Sequence, residues 1–185
     1  MGAEASRAGA PGKDAGEGWR PMVAADLPVA EALATATYPG HPEDEAVLLE
    51  RFRLFPEGCL AFGPVGAGWG YAVSHPWTFR SPPALNTLLG ALPADPDTLH
   101  LHDLALLPSA RGRNATAGAL GRLSRVAAGL GLQRICLVAI GGLAPFWAKH
   151  GFVVVEDPCL LPVLRRYDPA ALLMEKSVAQ DCALE

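Results

Sequence analysis

No two of the four cysteines, Cys59, Cys136, Cys159 and Cys182, form a CxxC pair. That spacing excludes a zinc knuckle and a dithiol redox motif, and it suits reduced thiols in a cytoplasmic protein. No apolar run approaches the roughly 18 residues that a membrane-spanning helix needs, and no basic segment leads into an apolar one near the N-terminus. The expectation is a cytoplasmic chain with no membrane contact. Carboxylates are missing from residues 104–155, a stretch that carries six cations, Arg111, Arg113, Arg122, Arg125, Arg134 and Lys149. Residues 1–103 carry 13 acidic and 6 basic side chains, and the whole chain has a net charge of −4. One basic segment inside an acidic protein suits a phosphate-bearing ligand, whereas nucleic acid needs an extended basic face that is lacking here.

What is present is enough for one domain with a buried core: 185 residues, half of them hydrophobic. Residues 1–18 are mostly Gly, Ala and charge, which predicts a flexible tail; the domain spans 19–178, and 179–185 form a second tail. Trp19–Val23 alternates like a strand, and Asp26 offers an N-cap for a helix through about Thr37. A second helix starts at Pro42, with Glu43, Asp44 and Glu45 in its first turn and Leu48, Phe52 and Phe55 on one face. That acidic turn is also a feature able to attract a cationic amine. Cys59–Phe62 and Trp69–His75 flank a turn-prone GPVGAG and predict a hairpin, and a proline-rich excursion follows to about Asp97. A strong strand covers Thr98–Leu106. Then come a helix from Asn114 to Leu130 with Leu120, Leu123, Val126 and Leu130 on its buried stripe, a strand at Arg134–Ile140, a helix at Ala144–Lys149, and strands at Phe152–Glu156 and Leu172–Val178. This order predicts an α/β (α+β) fold, a mixed sheet with helices on both faces.

The stretch LHLHDLALLPSARGRNATAGAL, Leu99 to Leu120, concentrates the chemistry. Strict strand alternation puts His100, His102, Leu104 and Leu106 on one face and Leu101, Asp103 and Ala105 on the other. Asp103 is then a structural partner, unless a bulge turns it inward and makes it a second candidate base. After the strand, SARGRNATA enters a helix, whose free N–H groups beside Arg111 and Arg113 form a cradle for a diphosphate. A base beside a phosphate cradle suits a group-transfer enzyme whose donor is carried on a nucleotide. No third ligand stands at metal-binding spacing from the histidines, so no metal is expected.

Leu101–Leu120 together with PFWAKHGF (Pro145–Phe152) resembles the motif region of the GNAT superfamily of acetyl-CoA-dependent N-acetyltransferases. PEGCLAF, GYAVSHPW and LHLHDLAL are similar to its serotonin (arylalkylamine) N-acetyltransferase branch. The resemblance implies the GNAT fold with a mostly antiparallel sheet, acetyl-CoA as co-substrate, and a small primary amine as acceptor. It assigns deprotonation of the amine to His100 and His102, pairing with the pantetheine arm to the main chain of Leu104, Ala105 and Leu106, and phosphate binding to Arg111 and the amides of Gly112, Arg113, Asn114, Ala115, Thr116 and Ala117. Some of Trp69, Trp77, Phe52 and Phe55 would line the acceptor pocket. The chain departs from the pattern twice. Asn114 and Thr116 stand where the superfamily's phosphate loop has small residues, and Trp147 stands where members commonly have a tyrosine that protonates the departing thiolate; a substitute there is water or His150. These departures also suit a non-catalytic acyl-CoA-binding or sensor module, and a protein amine is the alternative acceptor.

Overall fold

A computed structural model describes residues 18–40, 43–112 and 114–178. The tails expected at 1–18 and 179–185 lie outside the described residues except for Gly18, as do Pro42, where the second helix was expected to start, and Arg113. Seven strands, β1 (Trp19–Pro21), β2 (Cys59–Phe62), β3 (Gly70–Trp77), β4 (Thr98–Leu106), β5 (Arg134–Ala139), β6 (Val153–Val154) and β7 (Leu172–Ser177), form one sheet in the order β1-β2-β3-β4-β5-β7-β6. Every neighbouring pair is antiparallel except β4 and β5. Helices α1 (Leu27–Thr37), α2 (Glu45–Leu54), α3 (Ala115–Gly129), α4 (Ala144–Ala148) and α5 (Leu161–Leu164) cover it. None of the helices among the described residues is long and apolar enough to cross a membrane.

The faces follow from side-chain size. α3 is rich in alanine, a strong helix former, and turns Ala119, Leu120, Leu123 and Ala127 toward Leu60, Ala72, Leu99, Leu101 and Leu106 on the sheet. Each such buried leucine contributes roughly 2 kcal/mol. The helix stops where Gly131 adopts φ +73°, and Leu132 N–H bonds Ala127 O while Gly131 N–H bonds Ala128 O, a Schellman closure. That closure turns Leu130 outward, 47% exposed, against the expectation of a buried position, and Val126 is only partly buried. On the opposite face Leu27, Ala30 and Leu33 of α1 pack on Ala61, Tyr71, Val73 and Ala105, with Leu48 and Phe52 of α2 half-buried beside them. Phe55 joins the other face, and α2's fully buried positions are Val47 and Arg51. Gly70 belongs in its strand because a Cβ there would come within 2.5 Å of Leu106 Cδ2 and 2.8 Å of Ala105 O.

Asp26 does not cap α1. It sits in a preceding 3-10 turn, and its carboxylate accepts both terminal nitrogens of Arg20, at 2.7 Å each, and the N–H groups of Val23 and Gly66. The clamp ties β1 and the entry of α1 to the β2–β3 turn. The Arg20 hydrogen bonds, opposed by burial and aided by the two backbone donors, hold the Asp26 pKa at about 2. A carboxylate whose pKa falls on folding stabilises the fold above its unfolded value of about 4, and that contribution fades as pH drops toward 2. Asp26→Asn is therefore expected to cost about 2 kcal/mol at pH 7 and to flatten the loss of stability between about pH 4 and pH 2. Denaturant melts of both proteins at pH 7 and pH 3 check this.

Candidate functional site

β4 and β5 pair only at Leu99↔Ile135 and His100↔Cys136, then diverge. Beyond that fork β4 runs on through Leu106 with β3 on one side and a gap on the other. Hydrogen-bonding direction alternates along an antiparallel strand, and two bonds set its phase here. Leu107 N–H bonds Trp69 O across the β3 side, and Tyr38 O–H donates to Leu104 O at 2.8 Å. The backbone groups facing the gap are accordingly those of Leu104 and Leu106, while Ala105 spends its own on the β3 ladder opposite Tyr71. This corrects the expectation that all three main-chain units are available to a ligand.

A cleft of about 740 Å³ opens along this gap, within the size range of small-molecule and cofactor sites. Its walls include Leu104, Ala105, Leu106, Arg111, Gly112, Asn114, Ala115 and Thr116 from the expected set, with Trp147 and His150 opposite. Ala117 is exposed and does not line it. Gly112 at φ +80° and Asn114 at φ +54° are both left-handed, so the chain makes two unusual turns before α3 begins. Asparagine tolerates that conformation better than most residues, which explains how it stands in this loop. The first turn of α3 follows, and its Ala115 and Thr116 line the cleft, at the helix end whose N–H groups lack intrahelical acceptors. Arg111 lies against the end of β4, with Nε 3.3 Å from Leu106 O.

The histidines sit at the fork, and here strict alternation fails. The register steps from Val73↔Asp103 to Ser74↔Leu101, leaving His102 as the extra residue of a β-bulge. The bulge resets the faces. Leu101, Leu104 and Leu106 share the α3 side, and His100, His102 and Asp103 turn toward α1 and α2. The pairing of the histidines with Leu104 and Leu106, and the placement of Asp103 opposite them, are both overturned. Asp103 accepts a hydrogen bond from Tyr71 O–H, and burial raises its pKa against that bond.

The two imidazoles are not equivalent. His100 is buried with Nδ1 3.4 Å from Cys136 Sγ, and burial, with His75 and His102 nearby, keeps its pKa well below the ordinary value. It stays neutral and enclosed. His102 keeps 10% of its side chain exposed and places Nε2 2.8 Å from Glu43 Oε2. A carboxylate only accepts, so Nε2 carries the proton of this bond, and in the neutral ring Nδ1 is the nitrogen able to receive one. Burial raises the Glu43 pKa, but the His102 bond, the Asn86 N–H and the Arg51 charge more than offset it and keep the carboxylate ionised.

Glu43 precedes α2 rather than occupying its first turn, and only Glu45 of the acidic trio is helical. Its role escapes sequence reading because His102 lies 59 residues away. His75, near the end of its strand, has no role assigned from the sequence; it is fully buried, with its ring 5.5 Å from His100 and 6.3 Å from His102.

An inner cavity of about 100 Å³, lined by His100, His102, Asp103, Glu43 and Leu85, shares Tyr38, Leu104, Ile140, Leu143 and Trp147 with the large cleft. A third cavity of about 290 Å³, bordered by Glu31, Asp44 and Glu45, meets the inner one at Glu43, His102 and Asp103. None of Trp69, Trp77, Phe52 and Phe55 lines the inner cavity; its aromatic walls are Tyr38, Trp147 and Tyr167. Trp147 is buried between cleft and cavity, and His150 sits on the cleft, 6.5 Å from it between ring centres. Burial and Lys176 lower the His150 pKa, so it is neutral at pH 7. No group of three or more His, Cys, Asp or Glu among the described residues is placed to hold a metal ion.

No family model and no curated protein matches the chain. Solved structures do. The loading GNATL domain of CurA from Lyngbya majuscula aligns with a TM-score of 0.71 at 13% identity, covering 88% of this chain and 98% of that one. The GNAT-like decarboxylase GphF in complex with isobutyryl-CoA aligns with a TM-score of 0.67 at 18% identity, covering 86% and 98%. Naa50 from Arabidopsis thaliana, in complex with the bisubstrate analogue CoA-Ac-MVNAL, aligns with a TM-score of 0.61 at 13% identity, covering 86% and 97%. The chain has the GNAT fold.

Proposed function

We propose that this protein is an acyl-CoA-dependent N-acyltransferase, moving the acetyl group of acetyl-CoA to a primary amine by direct attack. The observation that carries the reading is the fork between β4 and β5, where a cleft of cofactor size meets a carboxylate-held imidazole at the inner cavity. In this reading the amides of Gly112 and Asn114–Thr116, with Arg111, hold the diphosphate. Leu104 N–H orients the thioester carbonyl, its own carbonyl being fixed by Tyr38. His102 Nδ1 takes a proton from the ammonium group, and the ionised Glu43 stabilises the imidazolium that forms. The amine nitrogen bonds to the acetyl carbon as the carbon–sulfur bond breaks; CoA leaves as the thiolate and the nitrogen's second proton passes to water. A thiol with a pKa near 8.5 departs without an acid, so Trp147 slows turnover rather than abolishing it. Asp103 is the second candidate base.

Two acceptor classes have support. The HLH stretch resembles the arylalkylamine branch, while a GNAT-fold neighbour holds CoA-Ac-MVNAL, which supports a peptide N-terminus equally. The inner cavity, about 100 Å³, is smaller than the ~150 Å³ that holds a benzene ring. It admits the reacting amine end, and the acceptor's body extends outside it. The test is thiol release from acetyl-CoA at pH 8 over arylalkylamines, polyamines, lysine peptides and peptides with free N-termini. Acetylated product from one class names the acceptor. Tight CoA binding with no product from any class would favour the sensor reading, which the side chains at Asn114, Thr116 and Trp147 also suit.

A further inference from the structure

The excursion between β3 and β4 reaches back to the site at one residue. Asn86 has φ +50°, left-handed for a residue with a side chain, and that twist aims its backbone N–H at Glu43 Oε1, 3.0 Å away. Glu43 thus has one oxygen held by Asn86 and the other by His102. The Asn86 side chain fastens the same place from the other direction: its Oδ1 accepts Asp44 N–H at 2.7 Å, and its Nδ2 donates to Asp44 Oδ2 at 3.2 Å. Neighbouring contacts anchor the excursion independently. Glu50 accepts the N–H groups of Leu89 and Gly90, and buried Arg51 donates to Thr87 O. Leu85, one residue before Asn86, walls the inner cavity.

We infer that Asn86 is a positioning residue for the base, its left-handed backbone N–H holding Glu43 so that the carboxylate keeps His102 in the Nε2–H form with Nδ1 free. It touches neither the cleft nor the inner cavity, so it acts only through Glu43. A carboxylate on a linker before a helix has many rotamers, and one backbone donor selects the rotamer that faces His102. The backbone group does the selecting, and the side chain secures the linker.

The inference rests on His102 being the base, and the experiment separates the two. Long-range ¹H–¹⁵N correlation spectra of the ¹⁵N-labelled protein report each imidazole's tautomer without any substrate, and His102→Gln assigns the His102 signals. Wild type is expected to show His102 as one tautomer, protonated on Nε2. Asn86→Val, whose β-branched side chain resists φ +50°, is expected to give a mixture of both tautomers and an activity about tenfold lower. Asn86→Gly adopts the left-handed turn freely and keeps the N–H, so it is expected to retain the single tautomer even where melting shows a looser linker. A folded Asn86→Val with an unchanged tautomer overturns the inference, and so does Asn86→Gly behaving like Asn86→Val, which would assign the effect to the side chain. An unchanged rate in His102→Gln would reject His102 as base while leaving the tautomer result to judge Asn86.

Discussion

His102→Ala is expected to lower kcat/KM for acyl transfer at least about a hundredfold while leaving the affinity for acetyl-CoA unchanged. The magnitude is that of a lost general base, and the selectivity follows from position. His102 lines the inner and the acidic cavities but not the large cleft. Glu43→Gln should cost less, about tenfold, because the amide still occupies the place but no longer stabilises an imidazolium. His100→Ala should behave differently from both. Its ring is enclosed and neutral, so its removal leaves a cavity that costs stability, about 1–3 kcal/mol, before it costs chemistry. Steady-state rates for the three variants, with isothermal titration of CoA and thermal melts, separate these outcomes. A His102→Ala enzyme with wild-type turnover would transfer the role to Asp103, whose carboxylate borders the same cavities.

Asn114→Asp is expected to weaken CoA binding by about 2 kcal/mol, roughly thirtyfold, with no loss of fold stability. The substitution keeps the shape of the side chain and its tolerance for the left-handed region, and a carboxylate just before α3 favours the helix dipole. The same charge repels the diphosphate that the loop is read as holding, so stability and affinity move apart. Asn114→Gly should tighten binding modestly by removing the side chain from the loop. Calorimetric titration with CoA, beside melting curves, checks the divergence, and a Kd for Asn114→Asp within twofold of wild type would place the phosphates elsewhere.

Periodicity and punctuation were informative about elements and weak about faces. Cys59–Phe62 and Thr98–Leu106 are strands over the ranges expected, since each is a β-rich run between clear breakers. Strand limits slipped where the signal was thin: β3 starts at Gly70 and runs through Pro76 to Trp77, and the strand expected over Phe152–Glu156 shrinks to Val153–Val154. The cleft was legible because a glycine–asparagine turn opening a helix after a strand is a local pattern. The side chains of the candidate site were half legible. His100 and His102 come together as expected, but by a bulge that alternation does not encode, and the bulge also brings in Asp103. Glu43, Tyr38 and Asn86 were out of reach because their partners are 59, 66 and 43 residues away, and nothing in a single chain marks contacts at that distance.

The proposed function requires the fork between β4 and β5 to hold the donor with its thioester beside His102. A crystal structure of the complex with acetyl-CoA tests it most directly. The expected complex has the diphosphate against Gly112 and Asn114–Thr116, the pantetheine arm along the gap-facing groups of Leu104 and Leu106, and the acetyl carbon at the mouth of the inner cavity, within reach of an amine held by His102. Acetyl-CoA bound on another face, or with its acetyl end turned away from the inner cavity, would contradict it.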